Sequence, residues 1–143
     1  MNYGVKLGEY TVEKIKQSAL SFYLNDEGSY PVSGGGKDGS PRSVVITAGD
    51  MRDAVLPLVD NIIEVIMNVL NQTPPELAAE ILRKGIFVSG GSSHIPGLIE
   101  YMEQAFELPL TPLYDRENCV AIGGAKFLDD KVLLSDLLGI HIE

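Results

Sequence analysis

Residues 85–97 read Gly-Ile-Phe-Val-Ser-Gly-Gly-Ser-Ser-His-Ile-Pro-Gly, an apolar run that stops at paired glycines and small hydroxyl residues. It is expected to resume as a helix with Pro96 in its first turn. No other segment constrains the fold as much, because a strand, a tight loop and a helix in succession are the unit of an α/β layer. Without a Cβ, Gly90 and Gly91 can take positive φ and admit a ligand close to the backbone, while the free N–H groups of the next helix suit phosphate or ribose oxygens. A tight turn with no ligand uses the same residues.

The rest of the chain alternates in the same way. Thr11 is expected to cap a helix from Val12 to about Phe22, with Glu13 favoured by the helix dipole in the first turn. Residues 25–40 are glycine-rich and read as turns around short strands, with a tip at Gly34-Gly-Gly-Lys-Asp-Gly. A β-branched strand follows from Arg42 to Thr47, and Thr47 with Asp50 forms a capping-box-like helix start. Met51, Val55, Leu58, Ile62, Ile66 and Val69 then recur at steps of three and four and predict a long helix with one apolar face. Pro57 within it predicts a kink near Ala54. Thr73-Pro-Pro-Glu reads as a new start capped by Thr73, and Gly85 as its stop. A buried strand at Ile86–Val88, an amphipathic helix at Ile95–Phe106, a strand at Leu108–Leu113 broken by Pro109 and Pro112, and a last helix from an Asn118 cap to Leu128 complete a predicted parallel α/β layer.

Composition narrows the partners. Eleven basic against twenty acidic residues in 143 give a net charge of -9, and the lysines and arginines are scattered singly. That disfavours nucleic acid and anionic membrane as partners. One cysteine, Cys119, cannot form an internal disulfide, no leader pattern is visible, and Ile62–Leu70 is too short to span a bilayer, so a cytoplasmic location is expected.

Several apparent sites lack a needed partner. Gly34-Gly-Gly-Lys-Asp-Gly has aspartate after its lysine and proline at position 31, where a phosphate loop needs glycine. His94 beside Ser92 and Ser93 has no carboxylate near it in sequence. Cys119 reads as small apolar packing, and Asp26-Glu27 and Asp129-Asp130 lack the further oxygens of a metal site. No catalytic or metal-binding residue is expected.

Between Thr73 and Asp129 four ordered blocks carry a specific resemblance: Thr73-Pro-Pro-Glu-Leu-Ala-Ala-Glu-Ile, Gly85-Ile with Ser89-Gly-Gly, Pro96-Gly-Leu, and Asn118-Cys-Val-Ala-Ile-Gly-Gly-Ala. They resemble the actin-like ATPase superfamily, most closely the C-terminal portion of the rod shape-determining MreB family. Upstream, Gly8-Glu-Tyr-Thr-Val-Glu-Lys-Ile-Lys is similar to the family's helix that faces the adenosine. The loop Ser89–Gly97 departs from the usual pattern by lacking a third glycine and holding a proline, and is more like eukaryotic actin there.

The resemblance implies a partial actin-like, ribonuclease H-like α/β fold, the C-terminal part of the second domain. Residues 1–50 would be a remnant of the outer subdomain with the adenosine-side helix and a β-hairpin, 51–130 the C-terminal part of the inner subdomain, and 131–143 a tail. It implies one wall of an adenosine pocket: Glu13, Lys14, Ile15 and Lys16 from the helix, Gly90, Gly91, Ser92 and Ser93 beneath adenine and ribose, and Asp115, Arg116 and Glu117 toward the far edge of the base. Read from spacing alone, Glu13 and Lys16 are equally an ordinary surface ion pair.

The family's phosphate-clamping hairpins, with their Asp-x-Gly signatures, lie N-terminal to the matched region, and no Asp-x-Gly-Thr occurs here. The implied cofactor is therefore ATP or ADP held weakly by its adenosine part, with magnesium belonging to the nucleotide in full-length relatives, which are ATPases. The implied function is a share in a nucleotide-dependent cytoskeletal filament that determines cell shape. The alternative is a non-catalytic module that docks on or caps an actin-like partner. Expected partners are a second copy, an N-terminal actin-like half or filament subunits, met through the stripe Met51–Val69 and the apolar tail Val132-Leu-Leu with Leu137 and Leu138.

Overall fold

The β-hairpin expected within residues 1–50 has longer strands than the sequence suggested. In the computed structural model, which describes residues 3–139, β2 (Ser29–Gly36) pairs antiparallel with β3 (Pro41–Thr47) from Ser29 opposite Thr47 to Gly35 opposite Pro41. A short β1 (Val5–Lys6) adds to the outer side of β2. The glycine-rich segment is thus largely strand, with the tip at residues 37–40. Glycine is needed at position 34 because a Cβ there would collide with the Lys6 carbonyl. Tyr30, Val32, Val44 and Ile46 line the inner face against α1 (Glu9–Ala19), whose Ile15 and Ala19 are buried in the same cluster.

α1 starts earlier and ends earlier than expected. Gly8 is the extended residue before it, and its carbonyl takes the first helical bond from the Val12 N–H at 3.0 Å, so Thr11 lies inside the helix and caps nothing. At the other end the Phe22 N–H donates to the Pro96 carbonyl at 2.7 Å, which draws residues 20–22 out of the helix and seats Leu20 and Phe22 in the main core.

α2 (Ala48–Gln72) is a continuous 25-residue helix that runs through Pro57. Its start carries the expected capping box: the Asp50 N–H donates to Thr47 Oγ1 at 3.1 Å, and the Thr47 N–H donates back to Asp50 Oδ2 at 2.9 Å. α3 (Pro75–Lys84) has Pro74, not Thr73, as its cap, because the Thr73 hydroxyl turns back to the Val69 carbonyl at 2.8 Å. Gly85, at φ 76°, ends α3 as expected.

β4 (Ile86–Val88) and β5 (Leu110–Pro112) pair in parallel, with Ile86 opposite Leu110. β4 is not the buried strand expected. Ile86 and Val88 pack on the core, but Phe87, on the opposite face, is 60% exposed. The helix expected from Ile95 starts three residues later: a 3-10 turn over Gly91–His94 precedes it, and α4 (Leu98–Phe106) begins after left-handed Gly97. Pro96 therefore precedes α4 and lies outside its first turn.

α4 presents Leu98, Met102 and Phe106 to a core shared with Leu20, Phe22, Val59, Leu108 and Leu110. Two tyrosines pin this layer. Tyr101 donates to Asp60 Oδ1 at 2.8 Å and its ring tilts against Phe22 at 5.2 Å, while Tyr23 donates to Glu100 Oε1 at 2.9 Å. α5 (Cys119–Asp129) and α6 (Lys131–Leu138) close the chain. Asn118 precedes α5 without capping it, since its side chain donates to Asp115 Oδ1 at 2.9 Å. Residues 1–2 and 140–143, with the side chains of Leu133 and Leu137 in the expected apolar tail, lie outside the described residues.

Candidate functional site

One cleft of about 550 Å³ joins the two halves of the predicted site. Glu13, Lys16 and Gln17 of α1 with Leu20 just after it form one side, Gly91, Ser92, His94, Ile95 and Pro96 another, and Glu117 approaches from the segment before α5. Helical spacing explains the first side, because residues three, four and seven apart share a face. Gln17 follows from that spacing and was missed in the sequence; it stands four residues after Glu13 and donates to Glu13 Oε1 at 3.1 Å.

Of the eight residues implied, the cleft is lined by Glu13, Lys16, Gly91 and Ser92. Lys14 faces elsewhere, its ammonium 4.6 Å from the Tyr10 ring centroid. Ile15 is 7% exposed within the hairpin core. Gly90 and Ser93 do not line the cleft: Gly90 is exposed outside it, whereas Ser93 is 4% exposed and its hydroxyl donates to the Gly90 carbonyl at 2.7 Å. That bond engages Ser93 away from His94, which itself lines the cleft. Gly90 takes φ 92°, the left-handed conformation its sequence position suggested, and begins the 3-10 turn. α4 starts at Leu98, so its N-terminal N–H groups are not at the glycines, contrary to the sequence expectation.

Among the three residues expected near the far edge of the base, only Glu117 lines the cleft. Arg116 instead donates to the Ser93 carbonyl, and its own carbonyl accepts the Gly90 N–H at 2.7 Å. Asp115 has φ 50°, a left-handed turn residue. Cys119 is half-buried, with Sγ directed to the Arg116 carbonyl at 3.5 Å. Among the described residues no group of three or more His, Cys, Asp and Glu could hold a metal ion, and no helix is long and apolar enough to cross a membrane.

Among the described residues Lys16 is the only lysine or arginine lining the cleft, and Glu13 neutralises it at 2.7 Å. The hydrogen bond from Lys16 holds the Glu13 carboxyl below the usual carboxylate range. With Glu117 added, carboxylates outnumber lysines and arginines along the lining, and among the described residues no lysine or arginine is left over for a phosphate chain. Hydroxyl and amino groups of a nucleoside suit it better.

Residues 1–136 match the MreB/Mbl protein family. The chain is 32% identical to the cell shape-determining protein MreB of Escherichia coli K12 over 130 residues, and 30% identical to the cell shape-determining protein Mbl of Bacillus subtilis over 131. Each alignment covers 90% of this chain but only 38% and 39% of those proteins. The fold superimposes on crystal structures of MreB5 of Spiroplasma citri, bound to AMPPNP (TM-score 0.83, 29% identity) and to ADP (TM-score 0.82, 31% identity). These cover 96% and 94% of this chain and 41% of the MreB5 chain. The α/β architecture is therefore the actin-like one, spanning about two fifths of its relatives' length, and the chain belongs to the MreB/Mbl family of cell shape-determining, actin-like proteins.

Proposed function

We propose that the cleft between α1 and residues 91–96 holds the adenosine part of ATP or ADP, with magnesium accompanying the nucleotide, and that the chain acts within a nucleotide-dependent cytoplasmic filament determining cell shape. In this reading residues 1–50 are the outer, adenosine-side part, 51–130 the inner α/β part and 131–143 a tail. One observation carries it: Glu13 and Lys16, from the start of the chain, meet Gly91 and Ser92, from the loop after β4, in a single cleft. The relatives of the same fold solved with AMPPNP and with ADP support it.

Gly91→Val tests this reading. A Cβ on Gly91 would stand 3.7 Å from Glu117 Oε1, an ordinary contact, and the methyl groups of valine would extend from it at the cleft wall. Titration calorimetry should show adenosine binding to the wild type and none to Gly91→Val at an unchanged unfolding midpoint. Equal binding by both would place the ligand elsewhere.

A second reading, docking on an actin-like partner or on another copy, is supported by the β4–β5 sheet. Parallel strands are ordinarily covered on both faces, and a two-stranded sheet is marginal alone. β5 is blunted by Pro112, whereas β4 contains neither proline nor charge, and the bonds of Ile86 and Val88 to the β5 side aim the Phe87 N–H and C=O away from it. α5 has no buried residue at all, and its Val120 is 77% exposed. A further strand beside β4 would pair its open edge. Mixing the chain with a separately made N-terminal part of an MreB/Mbl protein should give a one-to-one complex by solution mass; two unchanged masses would contradict docking on that half.

A further inference from the structure

Arg116 lies outside the cleft lining yet holds the loop that forms it at both ends. Its backbone carbonyl accepts the Gly90 N–H at 2.7 Å, and its guanidinium donates to the Ser93 carbonyl. Within the turn the Ser93 N–H and hydroxyl both return to the Gly90 carbonyl, at 3.1 and 2.7 Å. Gly91 and Ser92, the two residues between these anchors, line the cleft. A loop whose first residue is a left-handed glycine has many conformations available when unrestrained, and each must be given up when a ligand binds.

We infer that Arg116 is a positioning residue for the cleft, fixing residues 90–93 in the binding conformation through main-chain hydrogen bonds while touching no ligand. The inference rests on the nucleoside reading of the cleft. It assigns the arginine's charge to the Ser93 carbonyl, where a charge-assisted bond is stronger than a neutral one, and not to a phosphate. Backbone pairing with Gly90 survives any substitution at 116, so only the side-chain anchor is removed by mutation. A lysine, with one donor able to reach a single carbonyl, should restore most of the effect.

The test uses the full chain and its Arg116→Ala and Arg116→Lys variants, titrated with adenosine and with ADP, with amide hydrogen exchange followed at residues 90–95. Loss of one charge-assisted bond predicts about tenfold weaker binding of both ligands to Arg116→Ala. Faster exchange confined to the loop, an unfolding midpoint lowered by no more than the loss of one such bond and near-recovery in Arg116→Lys should accompany it. Weakening of ADP alone would show direct phosphate contact and overturn the inference, as would wild-type affinity and exchange in Arg116→Ala. If adenosine binds none of the three proteins, the nucleoside reading fails and the ligand role of Arg116 with it. Loop exchange that still responds to Arg116→Ala would then show a clamp that serves structure alone.

Discussion

Lys16 Nζ lies 2.7 Å from Glu13 Oε2, one turn away on α1, and this pair occupies the wall of the cleft. An ammonium already matched to a carboxylate adds little attraction for phosphates. ATP, ADP, AMP and adenosine should therefore bind with affinities within a few-fold of one another. Calorimetric titration of the four ligands checks this, and a large preference for the triphosphate would reveal a phosphate site elsewhere on the chain. Because the pair is exposed to solvent, Lys16→Ala should leave the unfolding midpoint nearly unchanged while weakening all four ligands alike.

Asp50 has its carboxyl held down to about 2, first by the Thr47 hydroxyl at 2.6 Å, then by the Tyr3 hydroxyl and the Thr47 N–H. Its folded value lies below the ordinary 3.8, so the capping box contributes stability that is fully present above that pH and is lost as pH falls toward about 2. Carboxyl NMR titration should show the depressed value in the wild type and an upward shift in Thr47→Ala. An ordinary value in the wild type would contradict the capping geometry.

Gly97 is held at φ 75°, and a Cβ there would stand 2.8 Å from the Tyr23 nitrogen and 2.9 Å from the Phe22 carbonyl carbon. Left-handed strain alone costs roughly 1–2 kcal/mol in a non-glycine residue, and the backbone collision adds to it. Gly97→Ala should lose at least about 2 kcal/mol in urea unfolding, approaching the roughly 3–5 kcal/mol expected of Phe106→Ala in the core. A neutral Gly97→Ala would mean that residues 22–23 do not press on the start of α4.

The uncovered faces should make the isolated chain self-associate at micromolar concentration, since apolar patches of several hundred Å² seldom stay bare on a monomer. Phe87→Lys places a charge on the open face of β4 and should lower the weight-average mass seen by light scattering. A sharp monomer for the wild type would show that β4 and α5 need no cover. An unchanged mass in Phe87→Lys would move the contact to the exposed α2 line of Leu58, Ile62 and Val69.

Much of this architecture was legible in the sequence because local signals and packing agree. Thr47 with Asp50, the helix that the three-and-four spacing of α2 predicts and the stop at Gly85 are short-range features that tertiary contacts leave unchanged; the covered face of α2 is not, since Leu58, Ile62 and Val69 of the expected stripe are exposed while Val59, Ile63 and Leu70 pack on the core. Where long-range bonds intervene, the sequence misleads. The Phe22 N–H leaves its helix for the Pro96 carbonyl, the Thr73 hydroxyl turns back to Val69, and α4 waits until Gly97 has turned the chain. β4 reads as buried because its residues are apolar, but burial depends on neighbouring strands, which three residues cannot specify. In the cleft the α1 wall was legible through the family resemblance, and the three-residue spacing showed only that Glu13 and Lys16 share a face. The role of Arg116 was not legible, because its target, the Ser93 carbonyl, is a backbone atom that carries no sequence signature.

Mapping adenosine onto the chain by amide NMR tests the central claim most directly. The account predicts saturable shifts concentrated at residues 13–20, 90–96 and 116–117, all abolished in Gly91→Val. Saturable shifts centred elsewhere, or none at millimolar adenosine, would contradict it.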